Sequence, residues 1–526
     1  MRLMKDAAGI SRAVRNLAER HMFVQQPHLE TKQLARMEFG IVCYSHSTPI
    51  WRDAMSRRTT RLEHDLLGDR RVPATAYYGV HTLRALENFA ITNTPISIYP
   101  ELVNALACVK QAAALANNEL ALLDDGKTGA IVQACQEIRD GALLEEFVVD
   151  VIQGGAGTST NMNANEVIAN RALEIMGHKK GDYQHLHPVE HVNMSQSTND
   201  VYPTAVKVAL HFAIQRLTGA MAELRAAFAA KAVEFADVLK MGRTQLQDAV
   251  PMTLGQEFST YAVMLEEDEQ RLKEAALLIH EINLGATAIG TGITAHPQYA
   301  MLVCRRLADI TGIDLMTAGN LVEATQDAGA FVQLSGVLKR VAVKLSKTCN
   351  DLRLLSSGPR AGLNEINLPP VQAGSSIMPG KVNPVIPEVV NQIAFEVIGN
   401  DVTVSFAAEG GQLQLNAFEP VIAHSLFKSL MHLRNGCDTL RERCVKGITA
   451  NREHLKGLVE RSIGIVTALN PYIGYTNATQ VAQEALTTGR SVYDLVLEKK
   501  LLSKERLDEV LRPEVLTRPS DVPPGK

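Results

Sequence analysis

Apolar residues recur in steps of three and four from about Asn199 to His454, which is helical periodicity. One stretch runs Val206, Leu210, Ile214, Leu217, Met221, Leu224, Phe228, Ala232 and Phe235, and a second runs from Leu254 through Phe258, Tyr261, Leu265 and Leu272 to Ile282. A third begins at Leu321 and passes Phe331, Leu338 and Leu345 to Leu352, a shorter one follows Pro387, and a fifth runs from Ala423 to Cys444. A helix of about thirty residues spans roughly 45 Å, too long for the core of one compact subunit. Such helices bury their stripes in a long bundle, often shared between subunits. The pattern therefore predicts an all-α oligomer, with Cys437 and Cys444 packed along the fifth stripe.

The flanks differ. Residues 1–54 hold the only tryptophan, Trp51, and a basic bias without sustained periodicity. Asp6, Glu19, Glu30 and Glu38 argue against a transit peptide, which is acid-poor. Residues 55–198 mix helical stretches with loops, and alanine-rich Leu102–Leu122 reads as helix. Beyond 454, Gly464, Asn470, Pro471 and Gly474 break the chain into short pieces, predicting a small helical domain over 454–526. Its end, Pro513–Lys526, reads as a tail. The expected organisation is 1–54 extension, 55–198 amino-terminal domain, 199–453 helical bundle and 454–526 carboxy-terminal domain. The chain's 526 residues are ample for it.

Composition narrows the class. Apolar residues make up 46% and charged residues 21%, ordinary for a globular chain, and a net charge of −4 with no basic stripe gives nucleic acid nothing to bind. No apolar run approaches the roughly eighteen residues of a membrane span. The seven cysteines form no C-x-x-C pair, which points to a reducing cytoplasm. His185, His187 and His191 cluster with Glu190, but Pro188 interrupts their spacing. They read as solvated loop histidines, and no metal or organic cofactor is expected.

Candidate chemistry gathers in Gly374-Ser375-Ser376-Ile377-Met378-Pro379-Gly380-Lys381-Val382-Asn383-Pro384. Gly374 and Gly380 permit backbone conformations that side chains forbid. The two serines supply hydroxyls and N–H donors, Lys381 a positive charge, and Asn383 both a donor and an acceptor. Glu388–Ile393 follows as a helix with proline in its first turn. Backbone donors, a lysine and a helix start suit a small carboxylate. On spacing alone, a glycine-proline linker remains open.

The uninterrupted run GSSIMPGKVNP resembles the signature of the fumarase/aspartase superfamily. Gly154–Ser159, Ser195–Asp200 and Gly242–Ala249 resemble that family's other blocks, in the same order. The resemblance extends from about Arg61 to Leu511 and is closest to the aspartate ammonia-lyases. Met55-Ser-Arg-Arg-Thr-Thr-Arg-Leu-Glu-His-Asp resembles an amino terminus of that family, so translation is expected to start there. The resemblance implies a three-domain fold with a central five-helix bundle, twenty helices meeting in a homotetramer, and active sites shared by three subunits.

It also implies the chemistry: reversible deamination of L-aspartate to fumarate and ammonia, through an enediolate (aci-carboxylate). Ser375 is implied as the base that takes the Cβ proton. Thr158, Ser197, Thr198 and Ser376 would hold the β-carboxylate, Asn199 the amino group, and Thr244, Lys381 and Asn383 the α-carboxylate. Neutral hydroxyls and amides suit charge developing on oxygen. The residues also have plainer readings: Ser197, Thr198 and Asn199 could simply cap the following helix. The nearest alternative is a class II fumarase, which acts on L-malate. Such enzymes usually have Ser-Ser-Asn-Asp at 197–200 and histidine where this chain has Gln245. A non-catalytic scaffold on the same fold, as in lens crystallins, is a second alternative, opposed by Ser375, Lys381, Asn383 and Thr158.

Overall fold

The computed structural model describes residues 59–519, and the 1–54 extension with its expected start at Met55 lies outside them. The described chain opens with an antiparallel hairpin, β1 (Thr60–Asp65) and β2 (Gly68–Pro73). Helices α1 (Val80–Asn88), α2 (Pro100–Glu119), α3 (Asp125–Arg139) and α4 (Thr158–Ile175) follow. Helix α2 is the expected alanine-rich one, and its small side chains let it bury nearly all round.

Five long helices form the centre: α5 (Thr198–Glu234), α6 (Leu254–Leu278), α8 (Gly329–Leu355), α9 (Val385–Glu409) and α10 (Glu419–Arg443). Helix α7 (Tyr299–Thr311) packs on α2 instead. Neighbours run α5–α6–α8–α9–α10 and back to α5, a closed ring of five. The predicted stripes turn inward: Val206, Leu217, Phe228, Phe258, Leu338, Leu345, Leu426, Leu433 and Cys437 are all buried.

Two boundaries depart from the periodicity. The third stripe breaks, because Asn320 caps a single turn, Leu321–Ala324, and the Asp327 carboxylate then accepts from Gly329 N at 2.9 Å as α8 starts. The fourth helix is not shorter: it has 25 residues and begins at Val385, with Pro387 in a first turn where no amide donor is needed. The first helix ends at Glu234, with the stripe's last apolar residue, Phe235, as its cap, and a hairpin of β3 (Leu239–Thr244) and β4 (Gln247–Thr253) follows. Its turn residues, Gln245 and Leu246, both have positive φ, 54° and 64°, as a two-residue hairpin turn requires.

The bundle's two ends can be told apart. Asn283 Nδ2 donates to Asn199 O at 3.0 Å and to Thr325 Oγ1 at 3.2 Å, so the start of α5, the end of α6 and the approach to α8 meet at one end. Glu365 N donates to Leu355 O at 2.8 Å, and the Glu365 carboxylate pairs with Lys240 at 2.7 Å and with Arg243. The end of α8 therefore meets the β3–β4 hairpin at the other end. At 1.5 Å per residue, the 37 residues of α5 separate these ends by about 55 Å.

Short helices α11 (Arg452–Arg461), α12 (Val466–Ile473), α13 (Tyr475–Thr488), α14 (Val492–Glu498) and α15 (Lys504–Val510) complete the chain. Met241, Leu469, Val481, Leu495 and Leu507 build a second, smaller core there. The expected tail is partly anchored: Pro513–Leu516 is helical, and Thr517 O accepts from Gln256 Nε2 at 2.9 Å.

Candidate active site

The sequence-predicted residues fall at opposite ends of the bundle. Thr158, Ser197, Thr198 and Asn199 lie where α4 and α5 begin. Thr244, Ser375, Ser376, Lys381 and Asn383 lie at the hairpin end, or on the loop that joins α8 to α9 there.

At the first end, Gly157 precedes α4 with φ 91°, and a Cβ there would come within 2.4 Å of the Tyr202 ring. Only glycine lets Thr158 start the helix against α5. The exposed Thr158 hydroxyl donates to Gly155 O at 2.7 Å. Ser197 caps α5 in a capping box: its hydroxyl accepts from the helix backbone, and Asp200 accepts from Ser197 N at 2.9 Å. Capping does not exclude a ligand, because the Ser197 hydroxyl keeps its proton for an outside acceptor.

Buried Asp200 also accepts from Gly285 N at 3.1 Å and Thr287 N at 2.9 Å. Burial pushes its pKa up to about 6, against these backbone donors. Pro203 has no N–H for the Asn199 carbonyl, and Asn283 Nδ2 supplies the missing donor. Asn199 Nδ2 donates to Ala288 O at 2.7 Å, leaving its amide oxygen to accept from an ammonium group.

At the other end, the Ser375 loop closes on itself. Gly374 N donates to Lys381 O at 2.8 Å, and Asn383 Nδ2 donates to Gly374 O at 2.6 Å. A Cβ on Gly374 would sit 2.5 Å from Lys381 O, so the neck needs glycine. Inside the loop, Ser375 Oγ accepts from Ile377 N and Met378 N at 3.2 and 3.1 Å. Two N–H donors on one hydroxyl oxygen favour its alkoxide. The exposed Lys381 ammonium has no hydrogen-bond or ion-pair partner among the described residues. Thr244 and Gln245 are exposed on the hairpin, which the buried Lys240–Glu365–Arg243 cluster fixes from beneath.

Within the chain, no hydrogen bond among the described residues joins the Ser375 loop to Thr158 or to Ser197–Asn199. The clustered histidines bond locally: His187 Nδ1 accepts from Val189 N and Glu190 N, and His191 Nδ1 accepts from His187 N. Among the described residues no group of three or more His, Cys, Asp or Glu is placed to hold a metal ion. Sequence reasoning missed Lys110, Asn193 and Glu365, which support the two ends from below. A lone lysine in the alanine-rich run of α2 was the available signal for the first.

Residues 68–399 match the family model described as "Lyase", and 465–518 match "Fumarase C C-terminus". The chain is 60% identical over 459 residues to an aspartate ammonia-lyase of Helicobacter pylori, covering 87% of this chain and 98% of that one. It is 61% identical over 466 residues to one from Pseudomonas aeruginosa (88% and 98%) and 56% identical over 461 residues to one from Escherichia coli (88% and 96%). Among solved structures, it resembles a cobalt-bound fumarate lyase:delta crystallin from Brucella melitensis, with TM-score 0.86, 57% identity, and 88% and 100% of the two chains covered. A class II fumarase from Schistosoma mansoni gives TM-score 0.82 at 35% identity, covering 86% and 98%.

Proposed function

The chain belongs to the aspartate ammonia-lyase family within the fumarase/aspartase superfamily, and from that premise we propose how it converts L-aspartate to fumarate and ammonia. The observation that carries the reaction is identity: 56–61% to ammonia-lyases over at least 96% of their length, against 35% to the fumarase.

Ser375 Oγ, as the alkoxide held by Ile377 N–H and Met378 N–H, takes the Cβ proton. The C–H electron pair moves into the β-carboxylate and gives the aci-carboxylate. Thr158, Ser197, Thr198 and Ser376 donate to its oxygens. The pair then returns as the carbon–carbon double bond, the Cα–N pair leaves with nitrogen, and ammonia departs past the Asn199 amide oxygen. Lys381, Asn383 and Thr244 hold the α-carboxylate, with Lys381 supplying the charge. No step requires a metal or an organic cofactor.

The two residue groups sit at opposite ends of helices of 37 and 27 residues, roughly 40–55 Å long, in one chain, so each site takes residues from more than one copy. Helix α9 exposes Val389, Phe395, Val402 and Phe406, and α6 and α8 expose Val263 and Val343. A second antiparallel copy would cover these apolar faces and bring a Ser375 loop to a Thr198 end. The assembly is a homotetramer with a twenty-helix core and sites shared by three subunits. The domains are 55–198, 199–453 and 454–526. The six cysteines among the described residues are all free thiols, which supports a cytoplasmic location.

Fumarate absorbance in the ultraviolet tests the reaction. L-aspartate is expected to produce it and L-malate not. Turnover of malate with aspartate silent would transfer the chain to the hydratases, and silence with both would make it a scaffold.

A further inference from the structure

Beneath the Ser197–Asn199 block lies a polar network that the reaction scheme does not use. Lys110, on α2, has 0% of its surface exposed. Its Nζ donates to Asn193 Oδ1 and to Gln196 Oε1, both at 2.9 Å. Asn193 Oδ1 also accepts from Asn161 Nδ2 and Asn165 Nδ2, both at 3.1 Å. Asn161 Nδ2 reaches onward to Thr198 Oγ1, again at 3.1 Å.

Every link in this chain has a direction. A lysine ammonium has only donors, and even the neutral amine has two hydrogens for its two acceptors. Asn193 must therefore turn its oxygen toward Lys110. Asn161 and Asn165 must then turn their nitrogens toward that oxygen. Their own amide oxygens, although buried, have no hydrogen-bond partner among the described residues. Local satisfaction would flip those amides, since an unpaired buried acceptor is costly. The lysine overrides it. At the end of the chain, the Thr198 hydroxyl accepts from Asn161, so its own proton points elsewhere.

We infer that Lys110 is a positioning residue for the elimination: through Asn193 and Asn161 it fixes the polarity of the Thr198 hydroxyl, so that Thr198 donates to the substrate carboxylate on which charge grows. This rests on the reading that Thr198 contacts that carboxylate. The ground-state carboxylate gains less from such a donor than the aci-carboxylate does, so the effect falls on kcat more than on KM.

A double-mutant cycle on the full-length enzyme tests it, with L-aspartate as substrate and kcat and KM read separately. Lys110→Met is expected to lower kcat about tenfold or more with KM changed less than about threefold. In a Thr198→Val background, where the hydroxyl to be oriented is gone, Lys110→Met is expected to have almost no further effect on kcat. Asn161→Asp, which replaces the donor with an acceptor, is expected to behave the same way. If Lys110→Met does not assemble, Asn161→Asp carries the cycle, because it leaves Lys110 and its two acceptors in place. A slow Thr198→Val enzyme in which the second substitution still costs its full fold-change would overturn the inference alone. Wild-type turnover by Thr198→Val would overturn the reading beneath it as well.

Discussion

Met378 N lies 3.1 Å from Ser375 Oγ, and the short loop between them turns so that Ile377 N points at the same oxygen from 3.2 Å. An alcohol in water is far too weak an acid to be ionised at neutral pH, and donors fixed in place before reaction lower that barrier. Ser375→Ala is expected to reduce kcat by at least about a thousandfold. The oligomer should remain intact, because Ser375 lies outside both apolar cores. Fumarate production with size-exclusion chromatography checks both halves. Wild-type turnover in the variant would remove Ser375 from the role of base.

Thr198 begins α5, whereas Ser375 follows α8 at the far end of the bundle. If a site joins these residues from different chains, two impaired enzymes can repair each other. Co-expressed Ser375→Ala and Thr198→Val subunits are expected to form mixed oligomers in which some sites carry neither substitution. Activity should recover to a fraction of wild type, well above either parent. Mixed oligomers no more active than the average of their parents would place both residues in one chain's site.

The Lys381 ammonium is exposed and unpaired among the described residues, so it is available to a ligand. An ion pair to the α-carboxylate forms in the ground state and persists in the transition state. Lys381→Ala is therefore expected to raise KM for aspartate about tenfold or more while kcat changes less. Steady-state kinetics with aspartate measures this, and an unchanged KM would count against the contact.

Glu365 is fully buried between Lys240, itself 2% exposed, and Arg243, and the three hold the hairpin that carries Thr244. Lys240 keeps a second partner in Glu257 at 2.5 Å, but Arg243 has no other ion-pair partner among the described residues, so removing Glu365 leaves its half-buried charge uncompensated and destabilises the hairpin. Glu365→Ala is expected to lower the unfolding midpoint markedly. Thr244→Ala, on the exposed turn, should leave the midpoint unchanged and alter aspartate binding. Thermal unfolding of both variants separates support of the site from contact with substrate.

What could be read without coordinates was local. Val206 to Phe235 announces a buried helical stripe because each apolar residue lies three or four positions from the next. The break before α8 was hidden, since Leu321, Ala324 and Ala328 keep the period while Asn320 caps a separate single turn and Asp327 stands at the start of a new helix. The β3–β4 hairpin was hidden because Gln245-Leu246 lacks the glycine or asparagine that usually marks such a turn. The GSSIMPGKVNP loop stood out, but its internal bonds, Asn383 to Gly374 and two amides to Ser375, depend on the path of the backbone. Lys110 and its acceptor Asn193 are 83 residues apart, and no periodicity says what faces a helix from across a core. The division of the site between two ends follows only once the order of helices around the ring is known.

Lys110 also sets a pH dependence of stability. Burial lowers its pKa from 10.5 to about 7, against the opposing pull of Asp200 and Cys135. Between those values the unfolded chain holds the proton and the native chain does not. Stability rises with pH wherever the unfolded state binds more protons. This lysine therefore contributes a stability that increases from about pH 7 toward pH 10. Lys110→Met removes the titrating group, so the variant's stability should rise less steeply than wild type over that window, whatever its absolute value. Unfolding midpoints of both proteins at pH 7, 8 and 9 provide the comparison, and parallel profiles would show that Lys110 keeps its proton in the folded enzyme.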